Sequence, residues 1–204
     1  GYNDYISISD GGKGYYNNQT SNPGYPAYHP SLLADGTRTE ITLEHWIYLG
    51  ANSGTDGSWR TIFKAPSYEI GFRSGSPQNR LFGRIWYWRL DNTTATPKFT
   101  SSSSYTVQSN TALATNTWYH VVLTYKSLDG IRLYINGQLD ASRLSTPTSL
   151  VNGTIERSSG EPVILGAGVG YFKGMIDEVR IYPRALYAEQ ILNRYQESKN
   201  GLSS

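Results

Sequence analysis

Residues 171–196 read YFKGMIDEVRIYPRALYAEQILNRYQ, and two periodicities meet in them. The segment GMIDEVRIY (174–182) reads as a strand. From Arg184 to Gln196 the spacing changes, so that Leu186, Ile191, Leu192 and Tyr195 share one broad helical face, with Gly201 beyond the end. No other segment of the chain reads as helix.

Working back from this stretch, every ordered segment reads as β. PVILGAG (162–168) is a strand. TWYHVVLTYK (117–126) and IRLYING (131–137) flank a Leu128-Asp129-Gly130 turn and form a hairpin, after which Asn136-Gly137 turns the chain again. RLFGRIWYWRL (80–90) is a long aromatic strand, and WRTIFKA (59–65) and YEIGFRS (68–74) are two more around Pro66. In EITLEHWIYLG (40–50), Ile41, Leu43, His45 and Ile47 fall on one face, and Thr42, Glu44, Trp46 and Tyr48 on the other. YNDYISIS (2–9) opens the chain as a strand. Residues 10–38 and 91–111 read as loop, the second with one edge strand. Short strands joined by hairpin turns, plus one terminal helix, predict an all-β fold. It is an antiparallel two-sheet β-sandwich spanning 1–204 as a single domain.

Composition agrees. The chain has 204 residues, 13% of them aromatic and 17% charged, with 21 Gly and 9 Pro. That is too aromatic for disorder and poor in helix formers. A net charge of +2 supplies no field for nucleic acid. No apolar run reaches the roughly 18 residues of a membrane span. Zero cysteines exclude disulfides, thiolate metal sites and a Cys nucleophile. Neither HExxH nor GxSxG occurs. Sequons at Asn18, Asn92 and Asn152 are candidate glycosylation sites. With an opening at Gly1 and no signal peptide, they point to a mature or trimmed extracellular or cell-surface product, part of a larger or processed protein.

Several segments, in order, resemble the laminin-G-like jelly-roll domain of the concanavalin A-like lectin/glucanase superfamily. They are GYNDYISIS, EITLEHWIYL, WYHVVLTY followed by IRLYING, and YFKGMIDEVRIYPRAL followed by AEQI, together covering 1–191. The resemblance implies a jelly roll, packing roles for Trp46 and Trp118, and a structural role in the hairpin for His120. It also implies a structural Ca²⁺ where the opening strand meets the IDEVRIY strand. Asp177 matches the ligand position, with Asn3 and Asp4 in the opening segment. The plainer role for Asp177 is to cap a turn or to pair with Arg180 or Arg184. The stretches 10–38 and 91–111 depart from the pattern.

Function is weighed between three classes. Glycosidase chemistry needs two carboxylates about 5–5.5 Å apart in retaining enzymes. Glu40 and Glu44, the best local pair, lie roughly 13 Å apart along a strand and read as solvated side chains. Adjacent residues such as Asp177 and Glu178, or Tyr119 and His120, point to opposite faces. Catalytic residues are therefore expected to be none. Carbohydrate binding is the sharper expectation, because sugars stack on aromatic rings while polar side chains fix their hydroxyls. Trp86 and Trp88 share one strand face with Arg84, and Trp59 and Arg60 lie at a nearby turn. The expected partner is a carbohydrate or glycoprotein, and the expected role a non-catalytic recognition or adhesion module. The alternative is a structural subunit of a surface or filamentous assembly. It would self-associate through the chain ends and the nearly uncharged 10–38 loop with Tyr15, Tyr16, Tyr25 and Tyr28.

Overall fold

The computed structural model describes residues 6–8, 38–50, 59–72, 79–91, 98–145, 153–155, 163–168 and 170–201. Twelve strands and one helix lie in them. They are β1 (Ile6–Ile8), β2 (Glu40–Leu49), β3 (Arg60–Ala65), β4 (Tyr68–Phe72), β5 (Arg80–Asp91), β6 (Lys98–Ala112), β7 (Thr117–Lys126), β8 (Gly130–Ile135), β9 (Gln138–Leu144), β10 (Gly153–Ile155), β11 (Val163–Leu165), β12 (Gly174–Tyr182) and α1 (Ala188–Gly201). A seven-stranded sheet runs β1-β11-β3-β4-β5-β10, with β6 on the other side of β5. A five-stranded sheet runs β12-β2-β7-β8-β9. All ladders between these strands are antiparallel. The expected jelly-roll sandwich with a short C-terminal helix is the fold observed.

The core lies between the sheets, as the alternation demands. Leu43, Ile47, Leu123 and Leu133 from one sheet meet Phe63, Tyr68, Ile70 and Ile85 from the other, each at most 1% exposed. Gly83 of β5 makes room for this meeting, since a Cβ there would overlap the Leu123 side chain. We expect Gly83→Ala to lower unfolding free energy by about 1–3 kcal/mol, the usual cost of overpacking. An unchanged urea midpoint would show that Leu123 can swing aside.

Three features depart from the sequence expectation. The edge strand expected within 91–111 is present but long, for β6 pairs with β5 from Arg80↔Ala112 to Asp91↔Lys98 and leaves little of the stretch as loop. Its serine run hides the apolar period, yet Tyr105 and Val107 turn into the core while Ser104, Thr106 and Gln108 do not. Near its end, the Asp140 carboxylate of β9 accepts the Asn110 and Thr111 amides at 2.7 and 3.1 Å, and Tyr105 Oη donates to the Leu144 carbonyl at 2.7 Å. Those bonds tie β6 of one sheet to β9 of the other. The short β10, unforeseen in the sequence, continues the edge along Tyr87–Arg89.

The third departure is Glu44, which is 0% exposed rather than solvated. The second face of β2 is covered by α1, whose Ile191 packs with Leu186, Val122 and Tyr134. Trp46 stacks on Tyr195 at 5.8 Å, and its Nε1 donates to Ser198 at 3.1 Å. The helix face anticipated from Leu186, Ile191, Leu192 and Tyr195 is thus directed at a sheet that already has a buried inner face. Both faces of β2 are therefore dry.

Candidate functional site

Two polar arrangements stand out, one under the helix and one on the outward face of the seven-stranded sheet. In the first, Glu44 is the hub. His120 Nε2 donates to Oε1 at 3.1 Å, while Tyr182 Oη and Arg194 Nε both donate to Oε2 at 2.7 Å. Arg180 Nη1 stands 3.6 Å from Oε1. Burial alone would raise the Glu44 carboxyl, but the hydrogen bonds from His120, Tyr182 and Arg194 override it and hold the pKa at about 2. Burial, then the bond to Glu44, pushes Tyr182 up to about 12. A carboxylate that stays charged down to about pH 2 and a phenol that stays neutral to about pH 12 serve to fasten the helix rather than to exchange protons. The hairpin turn is tied back beside it, the His120 backbone amide donating to Asn136 Oδ1 at 3.0 Å.

The second arrangement gathers most of the expected sugar-binding side chains. Strand parity on β5 sends Leu81, Gly83, Ile85 and Tyr87 inward and Phe82, Arg84 and Trp86 outward. Trp59 meets Phe82 edge-on at 5.3 Å between centroids. The Arg84 guanidinium lies 5.5 Å from the Phe82 ring centroid and 5.2 Å from that of Trp86. The result is a strip from Trp59 through Phe82 and Arg84 to Trp86, in which Phe82 is buried at 2% exposure and Trp59, Arg84 and Trp86 are half-buried. Arg84 Nε donates to Thr106 Oγ1 at 3.2 Å, which orients the guanidinium across the rings.

The cross-strand register adds partners that single-strand reading does not reach. Glu69 on β4 lies opposite both Arg84 on β5 and Lys64 on β3. Its Oε1 is 3.5 Å from the Thr61 hydroxyl. Burial raises its carboxyl, with Arg84 and Lys64 opposing through their charge. Thr61 itself is touched from outside by the chain around Gly168 and Gly170. A Cβ at Gly168 would overlap the Thr61 side chain, and one at Gly170 the Trp59 carbonyl. Gly168 and Gly170 therefore let the chain there lie directly against Thr61 and Trp59.

The remaining expectations are placed as follows. Arg60 does not join the strip: it is 3% exposed and pairs with Phe72, its guanidinium 5.9 Å from the Phe72 ring centroid. Trp88 is described as a backbone position only, paired with Thr154 and Ser102. Tyr15, Tyr16, Tyr25, Tyr28, Asn3, Asp4, Asn18, Asn92 and Asn152 lie outside the described residues. Asp177 is exposed, and its Oδ1 accepts the Glu178 amide at 2.7 Å inside a β-bulge where Glu178 has a φ of 50°. Among the described residues no group of three His, Asp or Glu side chains comes together as metal ligands. No described helix is long and apolar enough to cross a membrane. Phe82 was legible from its parity with Trp86, whereas Glu69 and Thr61 required the register.

Solved structures share the architecture. The receptor binding domain of botulinum neurotoxin D superimposes with a TM-score of 0.56 at 15% identity, covering 96% of this chain and 42% of that one. The serotype G binding domain gives 0.53 at 17%, covering 82% and 38%. The serotype D ligand binding domain in complex with N-acetylneuraminic acid gives 0.53 at 16%, covering 79% and 37%. This chain spans about two fifths of the length of each, and at such identities the likeness is one of fold. No curated protein matches it by sequence. The Laminin_G_3 family model matches residues 11–192, nearly the full length over which the strand pattern and the terminal helix were read. The chain therefore belongs to the concanavalin A-like lectin/glucanases superfamily.

Proposed function

We propose that the protein is a non-catalytic carbohydrate-recognition module acting outside the cell or at its surface, in recognition or adhesion. The observation that carries the reading is the strip Trp59–Phe82–Arg84–Trp86 on the outward face of the seven-stranded sheet. The partly exposed Trp86 ring with a guanidinium laid over it, and Trp59 beyond the buried Phe82, suit the C–H faces and hydroxyls of a sugar. The family and the toxin binding domains, one of them solved with N-acetylneuraminic acid, support a binding role. The carboxylate, imidazole and phenol that do converge lie at Glu44, His120 and Tyr182, where Glu44 and His120 are wholly buried. A polymeric substrate has no approach to that carboxylate.

The test is a glycan array followed by calorimetry on the best hit, with native protein and Trp86→Ala. Trp86 is partly exposed, so its loss should leave the fold intact. We expect affinity to fall by roughly thirtyfold, the ~2 kcal/mol typical of an aromatic anchor. Equal binding by both proteins would place the sugar elsewhere and end this reading of the strip.

A further inference from the structure

Glu69 and Arg84 face each other across adjacent strands, yet no ion pair closes between them. Arg84 uses Nε on Thr106 and spreads its guanidinium over Phe82 and Trp86, and its Nη groups make no hydrogen bond among the described residues. The Glu69 carboxylate, 5% exposed, has the Thr61 hydroxyl at 3.5 Å as its one hydrogen bond among the described residues. A cross-strand acid and base would ordinarily meet, since each gains about 0.2–1 kcal/mol from doing so. Here the aromatic rings on either side hold Arg84 away. A carboxylate this buried is short of donors, and a guanidinium fork beside it has donors to spare.

Resting on the carbohydrate-binding reading above, we infer that Glu69 and Arg84 form the polar recognition pair of the strip and select a neutral sugar bearing a vicinal diol. One ring hydroxyl donates to Glu69 while its neighbour accepts from Arg84 Nη, with the sugar's apolar face on Trp86. The pairing is chemically specific: a diol supplies one donor and one acceptor at the spacing of adjacent ring carbons. A carboxylated or sulfated sugar would bring a second anion against a carboxylate already hard to keep charged at its site, for burial raises the Glu69 pKa. Of its positive neighbours, Arg84 lies over the Trp86 ring and Lys64 stands opposite Glu69 on β3, on the side of the ladder away from Arg84.

The experiment uses the full chain on an array of matched neutral oligosaccharides and their sialylated and sulfated forms. Native protein, Glu69→Gln and Arg84→Lys are compared, with thermal unfolding as the check on folding. Gln keeps the shape of Glu69, and Lys keeps the charge of Arg84 while losing the planar fork. We expect neutral glycans to bind, acidic forms to bind at least tenfold more weakly, and each variant to lose at least tenfold on the neutral ones at an unchanged melting temperature. Preference for the sialylated or sulfated forms, or Glu69→Gln binding neutral glycans as well as native protein, overturns the assignment while leaving the strip as a sugar site. Absence of binding to every glycan overturns both.

Discussion

Glu44→Ala should lower the unfolding free energy by about 3–5 kcal/mol, the range for removing one member of a buried, hydrogen-bonded charge cluster. The loss is large because Glu44 answers four groups at once. His120, Tyr182 and Arg194 each donate to it, and Arg180 stands within ion-pair range. Without the carboxylate, the His120 Nε2–H and the Tyr182 hydroxyl lose their acceptor in the space between β2 and α1. Two guanidiniums on the helix and on β12 then repel with nothing between them. The apolar contacts of Ile191 with Leu186, Val122 and Tyr134, and the stacking of Trp46 on Tyr195, would remain to hold the helix. Equilibrium urea unfolding of native and variant protein measures the difference. Hydrogen exchange of the α1 amides, Ile191 for example, should show the helix opening first. A cost under 1 kcal/mol would mean that apolar packing alone fastens the helix.

The second large effect is acid sensitivity, and it comes from the opposite face of the same strand. His45 is 0% exposed and stacks on Phe63 at 6.4 Å between centroids, and neither ring nitrogen has a hydrogen-bond partner among the described residues. Burial, and then the nearness of His120, push its pKa down to about 3 from 6.5. The folded pKa is the lower one. The unfolded chain therefore takes up a proton at His45 as pH falls through 6.5, and the folded chain does not. Stability from this group is complete above pH 6.5 and is lost progressively down to about pH 3. At 1.36 kcal/mol per unit, about 2–3 kcal/mol should disappear between pH 7 and pH 4.5. Glu44 adds its own loss below that, between 4.5 and about 2, because its folded pKa is also the depressed one. His45→Leu isolates the first contribution. It should be at least as stable as native protein at pH 7, having removed two orphaned nitrogens from the core, and should be more stable by about 2–3 kcal/mol at pH 4.5. Parallel loss in the two proteins on acidification would show that another group titrates.

His45 and Glu44 also mark how far a linear reading reaches. Alternation in EITLEHWIYL correctly sorted Ile41, Leu43, His45 and Ile47 from Thr42, Glu44, Trp46 and Tyr48. What alternation cannot carry is the fate of each face, and Glu44 was expected in solvent. The apolar side of the terminal helix was equally visible, yet nothing local says which surface it will cover. Docking α1 on the outer face of β2 and β7 is a contact between residues about 150 apart, and it alone makes Glu44 a buried hub. The serine run of β6 failed in the other direction. Its local signal was weak, and the ladder to β5 supplied the order.

The strip on the seven-stranded sheet divides the same way. Parity along one strand was enough to align Arg84 with Trp86, and the same count reaches Phe82. Glu69 and Thr61 enter through the register of β3, β4 and β5, which hydrogen bonds between strands decide and no single strand encodes. Arg60, only one residue from Thr61, falls on the wrong side of its strand for the strip, because period two sends neighbours to opposite faces. The amino-acid sequence by itself therefore determined the fold class, the hairpins, the inner face of β2 and the apolar face of the helix, all of which are periodicities. Only the tertiary structure decided which surface the helix covers and which carboxylate it buries. It also decided which acid stands beside Arg84, because these depend on sheet register and helix docking across long separations in the chain.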